Sequence, residues 1–306
     1  MAIRNVINSK SIMIFMVLSF YITIGKAQHD SINYHHRKVA LWATSGVAYT
    51  AGMMGLYQVW YKDYPQSSFH FFNDNYEWQM QDKLGHIGSA YYISNWTGKL
   101  YQYAGYHQKK AALLGALTGF GFQLTIEMFD GYSEQWGFSP VDIFANTIGS
   151  SIYYFQALKW KEQRVKYKLS YHATKFTAYN PSLLGDNNLQ RVFKDYNGQT
   201  YWLSFNMKDL FFQDKRFPSW LNLAVGYNAR GMTGATTNRL TYNGNVIPQF
   251  ERVHYFILSP DIDITKIKSR YKAFNILKET FGFLKFPMPA IRLKNNGKIN
   301  GEAFYF

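Results

Sequence analysis

The sequence contains no cysteine. Disulfides, thiolate metal sites and a thiol nucleophile are therefore excluded, and no residue here can carry a lipid on an N-terminal cysteine. HExxH, GxSxG and a phosphate-cradling glycine loop are also missing. Their lack argues against an enzyme, although no reaction class is formally closed by it. Long apolar runs are scarce. Past the first 27 residues, only the uncharged run 39–61 reaches the roughly twenty residues needed to cross a bilayer. The runs 84–98, 111–126 and 143–158 are shorter. The intervening stretches 62–83 and 127–142 are rich in acids, and the second has no base, which is contrary to the charge bias of cytoplasmic loops. A polytopic inner-membrane protein is thus disfavoured, and an envelope-side helical bundle, partly embedded at most, is expected.

Acids are sparse in one half of the chain. Residues 159–306 hold twenty-three basic and ten acidic residues, whereas 28–158 hold seven and nine. Such asymmetry marks regions with different partners. Residues 1–27 have the pattern of a signal peptide, with Arg4 and Lys10, an apolar run, and small residues around Gly25-Lys26-Ala27. An uncleaved anchor helix is the competing reading. Export places the chain in the cell envelope, periplasm or outer membrane. It makes anionic lipid headgroups a better partner for the basic half than nucleic acid; solvated strand faces explain the charge equally well. The sequence identifies no protein partner.

The expected fold class is α+β, with an N-terminal four-helix hydrophobic bundle (38–158) followed by a β-rich basic region (159–306). Residues 165–169, 200–206 and 221–227 alternate with period two. Asn180-Pro181 signals a short helix running to Phe193. Asn197-Gly198 and Asn243-Gly244 signal turns. A strand from Arg252 is expected to end at Ser259-Pro260. An apolar helical stripe over 267–284 is expected to dock on a sheet, with membrane-surface binding as the alternative. The final strand places Asn300 and Glu302 in phase with Phe304 and Phe306, which argues against a lipid-facing barrel strand.

The densest polar information lies in EMFDGYSEQWGFSPVDIFAN, residues 127–146, and in DKLGH, residues 82–86. Asp82 and His86 are four apart, as are Asp142 and Asn146, so each pair shares a helical face. If consecutive helices run up and down, then Asp82, Lys83, His86, Glu127, Asp130, Asp142 and Asn146 meet at one end of the bundle. Capping explains Asp82, Asp142 and Ser139-Pro140 without any site. It does not explain Glu127 and Asp130, which stand at a helix C-terminus where the dipole repels anions. Lys83 or His86 is the expected partner for them. The alternatives are a structural ion-pair network, a divalent metal site using Asp82, His86, Glu127 and Asp142 with ligands suited to zinc or manganese, and an acid/base site in which crowded carboxylates raise one pKa. No cofactor other than such a metal is indicated.

Asp82-Lys83-Leu84-Gly85-His86, then Glu127, then Phe138-Ser139-Pro140-Val141-Asp142-Ile143-Phe144-Ala145-Asn146 and Gly149, resembles the YfiM-like family of predicted periplasmic lipoproteins, whose function is unknown. The same order of DK, H, E, D and N looks more distantly like the VanZ-like membrane proteins associated with glycopeptide resistance. The resemblance covers about residues 38–158 and implies a helical fold and an envelope location. It implies no catalytic mechanism. On these grounds a non-enzymatic, membrane-associated binding or structural protein is expected. The alternative is a metal-dependent envelope hydrolase or transferase acting on a lipid-linked or phosphorylated substrate.

Overall fold

A computed structural model describes residues 34–306 apart from 63 and 213. The expected signal peptide lies outside the described residues. Four long helices come first: α1 (Tyr34–Leu56), extended by a π-turn over Tyr57–Tyr61, α2 (Gln81–Tyr103), α3 (Gln108–Gly131) and α4 (Pro140–Lys159). By length and composition, α3 could cross a membrane.

Helices α2, α3 and α4 pack at glycine distance. A Cβ added at Gly119 would lie 2.6 Å from the Ala90 carbonyl oxygen, and one at Gly149 would overlap the Ile87 carbonyl. Small residues thus let the backbones touch, as the Gly115/Gly119 spacing predicts. Helix α1 is peripheral. Its Leu41 packs with Tyr101, Ala104 and Ala111, while Val39, Trp42, Val47 and Met54 stay exposed.

The second half forms a six-stranded antiparallel sheet. Its strands are β1 (Val165–Tyr171), β2 (Gln199–Asn206), β3 (Leu221–Arg230), β6 (Val253–Ile262), β7 (Met288–Lys294) and β8 (Ile299–Tyr305), in that spatial order. A separate hairpin, β4 (Thr241–Tyr242) and β5 (Asn245–Val246), turns at Asn243-Gly244, both with positive φ. The sheet curls nearly closed. Residues 283–285, just before β7, bridge to Leu169 on β1, and Tyr305 of β8 reaches Thr200 and Trp202 of β2.

The sheet's polarity is inverted. Its concave side sets polar groups around a small apolar cluster of Trp202, Ala224, Ile257, Ala290 and Tyr305. Lys168 and Asp261 pair there at 2.7 Å with both side chains fully buried. Ser204 donates to Asp261 at 2.6 Å, Asn222 to Ser204 at 2.8 Å, and Lys285 to Ser259 at 2.9 Å. Its convex side is apolar. Over β1 and β2 that side is covered by the bundle, where Tyr167 and Tyr201 join Tyr91, Ala112, Tyr153 and Ala157 in one core. Over the rest of β3, β6 and β7 it is open, with Val225 45%, Phe256 53% and Ile291 55% exposed, except at one end, where Tyr227 and His254 meet Gln79 and Ala229 packs with Trp78.

Several local expectations are corrected. The helix expected over 180–193 is two, α5 (Pro181–Leu184) and α6 (Asn188–Lys194), broken at Gly185, whose φ is +98°. Strand β6 runs on through Ser259-Pro260. Pairing with β7 stops at Leu258, so the proline's missing N–H interrupts no ladder on that edge. In the 267–284 stripe, helix α7 (Lys272–Phe281) turns Phe274, Leu277 and Phe281 outward and is tethered through Glu279 to Lys99 and Trp96. Docking of its apolar face on the sheet is not observed. The objection raised by Glu302 also lapses. It lies on the concave side, bound by Arg292, and a bulge between the pairs Ala290–Glu302 and Met288–Tyr305 reverses the phase, leaving Phe304 exposed.

Candidate functional site

The polar centre is built from the start of α2, the end of α3 and the start of α4. Ser139 caps α4: its Oγ accepts from the Asp142 N–H at 3.1 Å, and Pro140 occupies the first helical position. That cap fixes where Asp142 and Asn146 point. Helix α2 begins unusually. Trp78, Gln79 and Met80 all have positive φ (+49°, +49° and +68°), a run that non-glycine residues rarely adopt. The turn is held by the Trp78 N–H donating to the Ala235 carbonyl at 2.9 Å and by the Tyr227 hydroxyl donating to the Gln79 carbonyl at 2.8 Å. The sheet region therefore sets the position from which Asp82, Lys83 and His86 enter the centre.

Lys83 is the hub. Its side chain is 4% exposed, and its Nζ contacts Asp74, Asp82 at 3.0 Å and Asp142 at 2.7 Å. The Asp142 contact pairs the ammonium with Oδ1 of that carboxylate. Asp74 also accepts from Ser139 Oγ at 2.7 Å, and Asp82 from the Tyr196 hydroxyl at 2.6 Å. His86 lies between two acidic sides. Its Nε2 faces Asp142 at 3.8 Å and Asp82 at 4.0 Å, while Nδ1 faces Glu127 at 3.5 Å and Asn146 Oδ1 at 3.2 Å. Gln123 donates to the same Asn146 oxygen at 3.2 Å.

Burial and charge act in opposite directions here. Burial disfavours charged His86, but Asp142, Asp82 and Glu127 together outweigh it and push its pKa up to about 9. Burial pushes Glu127 up to about 8 against the pull of His86, and it also raises Asp142. For Asp82 burial is overcome by His86, Lys83 and the Tyr196 hydroxyl, which hold it below the usual carboxylate range. Burial likewise opposes the Lys83 ammonium, and its carboxylate neighbours prevail.

Six of the seven residues expected at the bundle end come together: Asp82, Lys83, His86, Glu127, Asp142 and Asn146. Asp130 stands apart and accepts from the Tyr61 hydroxyl at 2.8 Å, so its partner is neither Lys83 nor His86. Burial raises it to about 7. Of the four expected metal ligands, three converge on one ring nitrogen of His86. One atom each from Asp82, His86 and Asp142 lies within 4.8 Å of the others. Glu127 faces the opposite ring nitrogen of His86, at 3.5 Å from Nδ1. Sequence reasoning missed Asp74, Gln123, Ser139 as an Asp74 partner, and Tyr196. Gln123 had a usable signal, four residues before Glu127 on the same helix face. Tyr196 had none, being 114 residues from Asp82.

No curated protein and no solved structure matches the chain. Residues 70–158 match the model of a family described as predicted periplasmic lipoprotein (DUF2279). The match spans Asp74, α2, α3 and α4 as far as Leu158, and it is the kind of family that the DKLGH and SPVDIFAN segments resemble. The segment that supplies every residue of the centre except Tyr196 is therefore similar to a family of predicted periplasmic lipoproteins over residues 70–158.

Proposed function

We propose that the chain is a non-enzymatic, membrane-associated protein of the cell envelope, in which the polar centre is a charge lock joining the helical bundle to the sheet region. The family description supports the envelope location. The observation that carries the lock is Lys83, whose buried ammonium meets three carboxylates from three segments and so already serves as their counter-ion. Tyr196 extends the lock to the sheet region through Asp82. The test is thermal unfolding of Lys83→Ala and Tyr196→Phe. The first is expected to lose most of the stability and the second a smaller share. An unchanged melting temperature in Lys83→Ala overturns the reading.

A second reading is favoured by one observation. The Asp82, His86 and Asp142 ligand atoms converge within 4.8 Å, with Asp82 and His86 the more accessible members. Three protein ligands with open positions are the arrangement of a hydrolytic metal centre. On this reading the protein is an envelope hydrolase or transferase acting on a lipid-linked or phosphorylated substrate. Lys83 argues against it, because its ammonium occupies the same carboxylates. Calorimetric titration of the purified chain with zinc and manganese decides. One equivalent bound, and lost in His86→Ala, favours the metal centre, whereas no binding removes it.

A further inference from the structure

The geometry points to the hydrocarbon of a lipid bilayer as the partner of the open convex face of β3, β6 and β7. This inference rests on the membrane-associated half of the proposed function and names the surface responsible. Its failure would leave the charge lock untouched.

A water-facing sheet puts apolar residues on its packed side and polar residues outside. This sheet does the reverse. Along β3 the concave positions are Asn222, Ala224, Gly226 and Asn228, and the convex ones are Leu221, Leu223, Val225 and Tyr227. Along β6, Ser259 and Asp261 point in while Phe256 and Leu258 point out. The concave side carries its own polar network, including a fully buried Lys168–Asp261 pair. The apolar cluster there is small, limited to Trp202, Ala224, Ile257, Ala290 and Tyr305, whereas the larger apolar side chains of β3 and β6 face outward. Polar inside and apolar outside, on a sheet curled nearly closed, is the pattern required when the outer solvent is lipid.

Two further features agree on this occupant. The open part of the face spans 221–225 of β3 and 256–262 of β6, since beyond it Tyr227 and His254 meet Gln79. The register pairs Leu221 with Ile262, so the loops 207–220 and 263–271 adjoin at one end of the sheet. They present Phe211, Phe212 and Trp220 together with exposed Lys215 and Lys268, an aromatic and basic band suited to anionic headgroups. From that end runs α7, whose Phe274, Leu277 and Phe281 are exposed, as in a helix lying in the interface. A flat apolar patch for a second copy would need neither the charged band nor the outward stripe on α7.

The absence of cysteine makes the test clean. Single-cysteine variants Val225→Cys, Leu258→Cys and Ile291→Cys, with Asn296→Cys in the β7–β8 turn as control, are labelled with an environment-sensitive fluorophore. The full chain is reconstituted in phosphatidylcholine–phosphatidylglycerol vesicles. The three face positions are expected to lose most of their emission to doxyl-labelled lipid chains and little to aqueous iodide, and Asn296 the reverse. Iodide quenching of the face positions equal to that at Asn296 overturns the inference. So does shielding from both quenchers, the signature of a second copy or another protein on the face. The unmodified chain provides an independent check. A photoactivatable lipid should tag peptides from 221–230, 253–262 and 288–294, and tags confined to other regions count equally against the inference.

Discussion

At Lys83, substitution removes an ammonium shared by Asp74, Asp82 and Asp142. Breaking a buried ion pair from one side costs about 3–5 kcal/mol, because the charge left behind is neither solvated nor paired. Lys83→Ala should fall in that range by denaturant titration, and Glu127→Ala should cost less. Glu127 already holds its proton near neutral pH, so its removal leaves no bare charge; what is lost is the acceptor for the Ser139 N–H at 3.3 Å. The same residues set a pH dependence. For His86, raised from 6.5 to about 9, the stabilisation is complete below 6.5 and disappears as pH rises through 9. For Glu127, raised from 4.5 to about 8, the unfolded chain releases a proton that the folded chain keeps, so stability falls as pH climbs from 4.5 through 8. Both slopes have the same sign. The metal-free protein should melt lower at pH 9 than at pH 6, and Glu127→Gln should flatten the decline. A melting temperature that rises over this interval would contradict the assignment.

Helices α2 and α4 meet where Gly149 touches the Ile87 carbonyl, and α2 and α3 meet where Gly119 touches Ala90. Gly149→Ala forces the backbones apart and should cost about 1–3 kcal/mol. Gly121→Ala meets nothing within 4 Å and should stabilise by up to about 1 kcal/mol through helix propensity. Differential scanning calorimetry of the two variants measures both. These contacts were legible in advance because Gly115 and Gly119 fall on one helical face and Ser139-Pro140 marks where α4 begins. The faces of the strands were not. Alternation gives a period but carries no sign, and shifting one residue exchanges inside and outside. Glu302 shows the ambiguity. In a regular strand it shares a face with Phe304, and only the bulge beside Ala290, invisible in the sequence, separates them. Asp74 was illegible for a different reason: it comes from an irregular linker, where no period places a side chain.

For the whole molecule, the two halves share one core: Tyr91 and Tyr153 from the helices pack with Tyr167 and Tyr201 from the sheet. A fragment ending at residue 158 strips those contacts and the Tyr196–Asp82 bond. It should melt well below the full chain or aggregate, as circular dichroism and light scattering would show. Equal stability would mean the helices are autonomous. The left-handed turn at Trp78–Met80 has a consequence for how this assembly comes about. Each such residue costs on the order of 1–3 kcal/mol unless its surroundings impose it, and here the imposing groups, Tyr227 and Ala235, lie about 150 residues downstream. Helical signal should therefore return early after dilution from denaturant, while Trp78 reaches its final environment only once distant strands have arrived. Maturation of the bundle then waits for the stretch around Tyr227 and Ala235 to be made and to fold, and is not timed by the helices themselves.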